Sequence, residues 1–222
     1  HKQEIMKVLD YVDADAKAIG AVNTVVVSKD KRLLGYNTDA YGFLEALQED
    51  GGFSPAGQHV LVLGAGGVSR AVCMVLLREG VASLTLANRT VARAEALLAD
   101  LDANNAQVEA ISIEPDALKA TLSTKESKTL IVNCTSLGML HGPDEEGSLL
   151  QQELIPPTSL VFDLVYNPAE TTLMKQASAV GAKTLGGLSM LVYQGTKGFQ
   201  LWTGQAAPLD IMMAAAQKAV LG

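Results

Sequence analysis

Residues 59–80 read HVLVLGAGGVSRAVCMVLLREG and decide the fold. A continuous apolar run at 60–63 leads into a glycine turn, and a helical pattern follows directly. Gly64, Gly66 and the small Ser69 fit the G-x-G-x-x-G spacing between a strand and a helix. Such a turn lets the backbone approach a pyrophosphate at the free N–H groups of the helix. The stretch therefore predicts a dinucleotide-binding βαβ unit, and a glycine turn without a ligand is the alternative.

Strand patterns that are apolar throughout alternate with helical patterns after this turn. Strands of this kind are buried on both faces, which indicates an α/β fold with a doubly wound parallel sheet. Further strands are predicted within 83–90, 108–113, 129–136, 159–167 and 181–187, helices at 91–103 and 116–122, and mainly helix from 187 to the end.

The chain ahead of residue 59 has a different pattern. Residues 2–12 place apolar side chains on one helical stripe, and 18–37 predict two strands joined by a turn at 28–31. A further helix is predicted from Asp39 to about residue 50, with Thr38 or Asp39 as its cap. A Gly/Pro-rich connector then leads to the glycine turn.

Composition excludes several classes of protein. The 222 residues carry a net charge of −7, whereas a non-specific nucleic-acid binder needs a basic face. No apolar run reaches the length of a membrane span, about 20 residues. The only cysteines, Cys73 and Cys134, lie in apolar segments and indicate reduced thiols of a cytoplasmic protein. The three histidines share no ligand spacing, so no metal site is predicted.

The second strand of the βαβ unit indicates which dinucleotide binds. An NAD site usually carries an acidic residue there, which bonds the ribose 2′-hydroxyl. This strand ends instead in Asn88-Arg89-Thr90, and Arg93 follows one helical turn later. Two guanidiniums can pair with a 2′-phosphate, which favours NADP. The alternative is that both arginines only lie on the surface. Thr135 and Ser136 follow a later strand and fit cofactor contacts and ordinary turn residues equally well.

Eight segments taken together resemble the shikimate dehydrogenase family. The resemblance covers essentially the whole chain in order. The segments are HK at 1–2, IGAVNTVV at 19–26, GYNTDAYGF at 35–43, GAGGVSRAV at 64–72, ANRT at 87–90, NCTSLGM at 133–139, DLVYNPAETTLM at 163–174 and GLSMLVYQGTKGFQLWTG at 187–204.

The resemblance implies an NADP-dependent enzyme that interconverts 3-dehydroshikimate and shikimate in aromatic amino-acid biosynthesis. It implies a Rossmann NADP-binding domain at 40–187, with a linking helix at 40–50. Residues 1–39 would be the remaining part of an incomplete α/β substrate domain, and helices in 188–222 would return to that domain. The expected partner is a small-molecule substrate, and neither a nucleic acid nor a membrane is expected to bind. The protein would be a monomer or a homodimer.

The resemblance also implies roles for particular residues. Lys2 matches the catalytic lysine, Asp39 its partner carboxylate, and Asn23, Tyr166 and Gln194 the substrate-binding positions. The cofactor-binding positions that it implies are Gly64, Ala65, Gly66, Gly67, Val68, Asn88, Arg89, Thr90, Arg93, Leu164 and Gly187. Thr135 and Ser136 are added to them as candidates because of their position at a strand end. A lysine ammonium suits ketone reduction because it stabilises charge on the carbonyl oxygen and can donate a proton. By position alone, Lys2 would be a solvated surface charge.

The chain departs from the family pattern at two places. Family members carry a segment ahead of the His-Lys pair, with two serines that bind the substrate carboxylate. We therefore expect the 222-residue chain alone to bind NADP but to turn over shikimate poorly. Gly186, Ser189 and Gly195 differ from common family residues near the nicotinamide and the substrate, which leaves use of quinate open. The alternatives are a quinate/shikimate dehydrogenase that uses NAD, and a non-catalytic NADP-binding relative or fragment.

Overall fold

A computed structural model describes residues 1–101, 103, 106–123 and 129–221. Its larger sheet has six parallel strands in the order β6-β5-β4-β7-β8-β9. The strands are β4 (His59–Leu63), β5 (Ser83–Asn88), β6 (Gln107–Ser112), β7 (Leu130–Asn133), β8 (Leu160–Asp163) and β9 (Lys183–Gly186). The chain order reverses between β4 and β7, and ligands bind at such a switch point in this fold class. The predicted doubly wound sheet is confirmed.

Alternate residues of β4 belong to two different cores. Val60 and Val62 lie in the core that includes α3 (Gly67–Arg78), α4 (Val91–Ala99) and α2 (Asp39–Glu45). Leu61 and Leu63 lie in the other core, with α5 (Pro115–Leu122) and α6 (Thr172–Ala179). The sheet is therefore covered on both faces, as its continuous apolar strands predict.

One helix boundary and one whole helix differ from the sequence predictions. The helix predicted at 91–103 ends at Ala99, and residue 102 lies outside the described residues. Helix α6 has no counterpart among the predicted elements; it begins after Thr171, whose hydroxyl oxygen accepts a hydrogen bond from Met174 N.

The smaller sheet contains β1 (Tyr11–Val12), β3 (Leu33–Tyr36) and β2 (Thr24–Val27) in that order. The prediction of a helix at 2–12 is wrong. Only Glu4–Val8 forms a 3₁₀ turn, and the helix α1 covers Ala14–Ile19. Parallel pairing of β1 with β3 draws the chain into an extended form there, so tertiary contacts override the helical periodicity. The two predicted strands within 18–37 are confirmed as β2 and β3.

Helix α2 joins the two sheets. It begins at Asp39, as predicted, and continues as a wider π-type turn, Ala46–Asp50. Phe43 of α2 stacks on Phe162 of β8 with ring centroids 5.3 Å apart, which ties the helix to the larger sheet. The long helix α7 (Leu188–Thr203) packs against α2, and α8 (Leu209–Leu221) packs against α7.

The predicted division at residues 39 and 187 stays a prediction, although the small sheet lies within 1–39 and the large sheet within 40–187. None of the helices in the described ranges is long and apolar enough to cross a membrane.

Candidate active site

Neighbouring side chains hold the glycine turn in a defined shape. Gly64 has a φ of +95°, which favours glycine, and a Cβ there would lie 2.7 Å from Thr135 Cγ2. Ser69 Oγ donates to the Gly64 carbonyl at 2.6 Å and accepts from Gly66 N at 3.0 Å. Ala65 N donates to Asn88 Oδ1 at 3.1 Å. The hydrogen bonds of the turn itself therefore occupy the N–H groups of Ala65 and Gly66.

The donors left for an anion are those at the start of α3. Gly67 and Val68 are the first two helical residues, whose N–H groups have no partner within the helix. A Cβ on Gly66 would meet no atom within 4 Å, so open space lies against the turn. A cavity of about 460 Å³ begins there and is lined by Lys2, Gly66, Gly67, Arg70 and Arg93 among others. Glycines, free N–H groups and cations fit a pyrophosphate-containing cofactor.

The end of β5 presents the two predicted arginines to solvent. Asn88 Nδ2 donates to the Thr90 carbonyl at 2.8 Å, so this asparagine fixes both the glycine turn and the start of α4. Arg89, Thr90 and Arg93 are exposed, and no carboxylate of the described residues pairs with either guanidinium. Unpaired cations beside this turn fit the extra phosphate of NADP.

Lys2, Asp39 and Asn23 meet beside this cavity. Lys2 Nζ lies 2.5 Å from Asp39 Oδ2, and Asn23 Nδ2 donates to Asp39 Oδ1 at 2.8 Å. The backbone brings them together because Val22 N donates to the Lys2 carbonyl at 2.8 Å. The Lys2 side chain is 42% exposed and that of Asp39 is 11% exposed. Asp39 is therefore held by Asn23 and almost buried, while the Lys2 ammonium stays accessible to a ligand.

The start of α2 is capped by a residue that the sequence analysis did not single out. Asn37 Oδ1 accepts from Asp39 N at 3.0 Å and from Ala40 N at 3.4 Å, while Asn37 Nδ2 donates to the Ala21 carbonyl at 3.0 Å. Thr38 occupies the N-cap position, as expected, but its side chain makes no capping hydrogen bond. Asparagine is a common residue for such local turns, and this was the missed signal.

Gln194 reaches the same network from α7. The Thr38 hydroxyl lies 3.2 Å from Gln194 Oε1 and 3.3 Å from Asn23 Oδ1. The two helices approach closely at Gly42, where a Cβ would lie 2.7 Å from Gln194 Cβ. The structure thus brings together four of the predicted residues: Lys2, Asp39, Asn23 and Gln194.

The remaining predicted residues lie at or just beyond the carboxyl edge of the larger sheet. Tyr166 is 42% exposed and has no described contact with Lys2 or Asp39. The Gly187 N–H donates to the Val165 carbonyl, and a Cβ at Gly187 would overlap Leu164, so these segments touch. Thr135 Oγ1 donates to Asn133 Oδ1 at 2.7 Å, and the Ser136 carbonyl accepts from Met139 N at 3.3 Å. Their roles at the cofactor stay predictions.

Asp163 at the end of β8 is a buried carboxylate that the sequence analysis did not identify. It is fully buried and accepts hydrogen bonds from Asn133 Nδ2, Val165 N and Thr171 Oγ1 at 2.9, 3.1 and 2.6 Å. Burial raises the pKa of this carboxyl, and the three donors oppose that rise. The network ties the end of β7 to the loop that follows β8.

Cys73 is buried, and Cys134 is partly buried. Burial raises the pKa of Cys73 well above its ordinary value and that of Cys134 to about 12. Neither forms a disulfide. Within the described part of the chain, no cluster of His, Cys, Asp and Glu could hold a metal ion.

Two sequence-family models match this chain. The shikimate/quinate 5-dehydrogenase model matches residues 46–150, and the shikimate 5′-dehydrogenase C-terminal domain model matches residues 187–217. A relative from Symbiobacterium thermophilum, named shikimate dehydrogenase (NADP(+)), is 44% identical over 223 residues. The match covers 100% of this chain and 74% of that relative.

Solved structures give the same result. The shikimate 5-dehydrogenase from Thermus thermophilus, in complex with NADP(H) and shikimate, is 38% identical with a TM-score of 0.79, covering 98% of this chain and 76% of that one. The quinate dehydrogenase from Corynebacterium glutamicum, in complex with NAD, is 31% identical with a TM-score of 0.86. That match covers 98% of this chain and 74% of the quinate dehydrogenase. Together with the Lys2–Asp39 pair beside the glycine turn, these similarities confirm the predicted family: the chain belongs to the shikimate dehydrogenases.

Proposed function

We propose that this protein is an NADP-dependent oxidoreductase that interconverts 3-dehydroshikimate and shikimate. One observation carries the proposal: the Lys2–Asp39 pair lies beside the glycine turn, with Lys2 Cδ 4.0 Å from the position of a Cβ on Gly67. An acid–base pair and a dinucleotide turn thus share one cleft. The relatives named for NADP and shikimate support the same reaction.

NADP supplies the hydride chemistry when it is bound, and the protein supplies charge and proton transfer. Reduction of a ketone places negative charge on its oxygen, which the Lys2 ammonium stabilises and then protonates. In the reverse direction, Lys2 receives the proton of the hydroxyl group that is oxidised. The partial exposure of Lys2 leaves room for a ligand at its ammonium.

Asp39 orients Lys2, and Asn23 in turn orients Asp39. Asn23 Oδ1 already accepts from Thr24 Oγ1 at 2.9 Å and from Thr38 N at 2.9 Å. Asn23 Nδ2 has two hydrogens, of which one is bonded to Asp39. We infer that Asn23 can donate one hydrogen bond to the substrate and accepts none from it. Gln194 keeps its amide NH₂ for a second hydroxyl, and Tyr166 would close the site from the edge of the sheet.

For the cofactor, we propose that the Gly67 and Val68 N–H groups bind the pyrophosphate. Arg89 and Arg93, helped by Thr90, would bind the 2′-phosphate, while Gly64, Ala65, Gly66 and Asn88 shape the turn. Thr135, Ser136, Leu164 and Gly187 would lie along the nicotinamide end. Their position at the carboxyl edge of the sheet supports this assignment.

The test compares cofactors and arginine variants in the full-length protein. Arg89→Ala and Arg93→Ala should each cost about 1.5–3 kcal/mol toward NADP⁺, which raises its KM about 10- to 150-fold. The KM for NAD⁺ should change little, because NAD⁺ lacks the 2′-phosphate. Arg32→Ala, in the exposed β2–β3 turn, is the control. Equal losses with both cofactors would overturn the assignment of the arginines.

The same assay distinguishes this function from the two alternatives. A quinate/shikimate dehydrogenase that uses NAD, as the similarity to the quinate dehydrogenase allows, would reduce NAD⁺ better than NADP⁺ with quinate or shikimate. A non-catalytic relative would bind NADP⁺ but reduce none of it with shikimate. The NADP enzyme is favoured by the two arginines, with which no carboxylate of the described ranges pairs, and by the intact Lys2–Asp39 pair.

We propose a reducing compartment, the cytoplasm, because both cysteines are free thiols. The expectation of a monomer or homodimer stays a prediction.

A further inference from the structure

Arg70 links three elements at the cavity. It lies in α3, one turn after the glycine turn, and its side chain is only 15% exposed. Its Nε donates to the Ile19 carbonyl at 2.7 Å, and its Nη2 donates to Asp100 Oδ2 at 3.1 Å. One guanidinium therefore joins the phosphate-binding helix, the end of α1 and the residue that follows α4.

The contact with Ile19 lies at the start of the segment that holds the catalytic pair. Ile19 ends α1, where carbonyl groups lack partners within the helix. Gly20 follows with φ +70°, and a Cβ there would lie 3.1 Å from Arg70 Nη2. Three residues later, Asn23 donates to Asp39, and between them Val22 N holds the Lys2 backbone. Arg70 thus connects the helix that follows the glycine turn with the segment 19–23, which in turn contacts Lys2 and Asp39.

A second arginine of α3 provides a natural comparison. Arg78 also reaches α1, with Nη1 3.1 Å from Asp15 Oδ1, but it lies two turns further from the cavity and is 44% exposed. Asp15 is in the first turn of α1, at the end away from Asn23. Both arginines bridge the same two helices, and only Arg70 does so next to the site.

We propose that Arg70 is a positioning residue that fixes the Lys2–Asp39 pair relative to the bound cofactor. The proposal rests on the proposed function. An arginine is needed because its planar fork donates to a carbonyl and a carboxylate at once, which a lysine ammonium does less rigidly. Hydride transfer depends steeply on such placement: a misplacement of about 1 Å can cost about 100-fold in rate. The competing role, since Arg70 lines the cavity, is direct binding of a cofactor phosphate.

The test compares Arg70→Lys with Arg78→Lys in the full-length protein. For Arg70→Lys we expect kcat for shikimate oxidation to fall about tenfold or more, with the KM for NADP⁺ within about threefold of the unaltered protein. The primary deuterium isotope effect on kcat should rise, because hydride transfer becomes more strongly rate-limiting. Arg78→Lys should leave all three quantities unchanged.

A binding measurement gives a readout independent of turnover. Calorimetry determines the Kd for shikimate with and without NADP⁺, and the ratio measures the coupling between the two sites. We expect Arg70→Lys to reduce this ratio and Arg78→Lys to preserve it. Arg70→Gln is the second variant, since its amide can still donate to the Ile19 carbonyl but loses the ion pair with Asp100.

The outcomes separate clearly. A large rise in the Kd for NADP⁺ with unchanged kcat would make Arg70 a phosphate ligand and overturn the proposal. Equal kcat and equal coupling in Arg70→Lys, Arg70→Gln and Arg78→Lys would also overturn it. If the unaltered protein itself fails to oxidise shikimate, the proposed function fails, whereas the coupling measurement still tests the link that Arg70 makes.

Discussion

Lys2 Nζ lies 2.5 Å from Asp39 Oδ2, although 37 positions separate the two residues. The other oxygen of the carboxylate accepts from Asn23, so both oxygens are engaged. The Lys2 side chain is 42% exposed and that of Asp39 only 11%, so the ammonium meets solvent while the carboxylate lies almost buried. The value of this ion pair to the protein is that it holds an ammonium group in a fixed place at the edge of a cavity.

Asp39→Asn should therefore remove activity while leaving the fold intact. The amide keeps the size of the carboxylate but no longer pairs with the Lys2 ammonium or holds it by charge. We expect kcat for shikimate oxidation to fall about 10²- to 10⁴-fold, the range for loss of a positioned acid–base group. Helix α2 keeps its start because Asn37, and not Asp39, caps it.

The control for this variant is Asp210→Asn. Asp210 is an exposed acid in the first turn of α8, so the chemical change and the helical position are matched. Thermal unfolding and initial rates are measured for both variants. Activity close to that of the unaltered protein in Asp39→Asn would show that Asp39 has no part in the chemistry.

Asn37 can be dissected by two substitutions. Asn37→Ala removes the cap of α2 and the bond to the Ala21 carbonyl, and should cost about 1–3 kcal/mol of unfolding free energy. Asn37→Asp keeps an oxygen for the Asp39 and Ala40 N–H groups but loses the donor to Ala21. It should recover part of the loss. Denaturant unfolding checks the order; equal stability of the two variants would mean that the cap contributes nothing.

The sequence alone was sufficient for the larger sheet because its local signals agree. The apolar run before Gly64, the glycine spacing and the helical pattern after it all belong to one βαβ unit. The 2–12 segment could not be predicted in the same way, because its extended form comes from pairing with β3, a partner more than 20 residues away. Periodicity carries no information about such a partner.

The candidate site shows the same limit. Lys2 has no local pattern that marks it as catalytic, and only the family resemblance singled it out. Asn37 and Asp163 were missed for another reason: each acts on the backbone of neighbouring segments, and ordinary turn residues look the same in the sequence. The resemblance named the residues that are predicted to contact the ligand, but not those that hold these residues in place.

Gly42 is required by the close approach of α2 and α7. A Cβ there would lie 2.7 Å from Gln194 Cβ and 2.7 Å from the Met190 carbonyl oxygen, so the helices must separate. Gly42→Ala should cost about 1–3 kcal/mol and raise the KM for shikimate as Gln194 moves. Gly195→Ala is the control, since its Cβ would meet only Met212 Cε at 3.4 Å. Since Ala favours a helix over Gly by about 1 kcal/mol, Gly195→Ala should be neutral or stabilising, and similar losses in both variants would exclude the close approach at Gly42 as the cause.

The buried carboxyl of Asp163 should make stability depend on pH in a definite direction. Its pKa is raised above the value in the unfolded chain, about 3.9, because it is removed from water. Between the pKa of Asp163 in the unfolded chain and its higher pKa in the folded protein, the folded state binds more protons than the unfolded state. The contribution of Asp163 to the free energy of unfolding therefore falls as pH rises. That contribution is complete below the unfolded pKa and is lost as pH rises through the folded one.

Asp163→Asn cannot titrate, so the stability advantage of the unaltered protein over this variant should shrink as pH is raised from about 4. Denaturant unfolding at several pH values measures it, with Glu109→Gln on the exposed face of β6 as the control for general charge effects. An advantage that grew with pH would mean that the hydrogen bonds from Asn133, Val165 and Thr171 outweigh burial and hold the carboxylate charged. Asp163 would then anchor its two loops as an anion, and the direction of its pKa shift would be reversed.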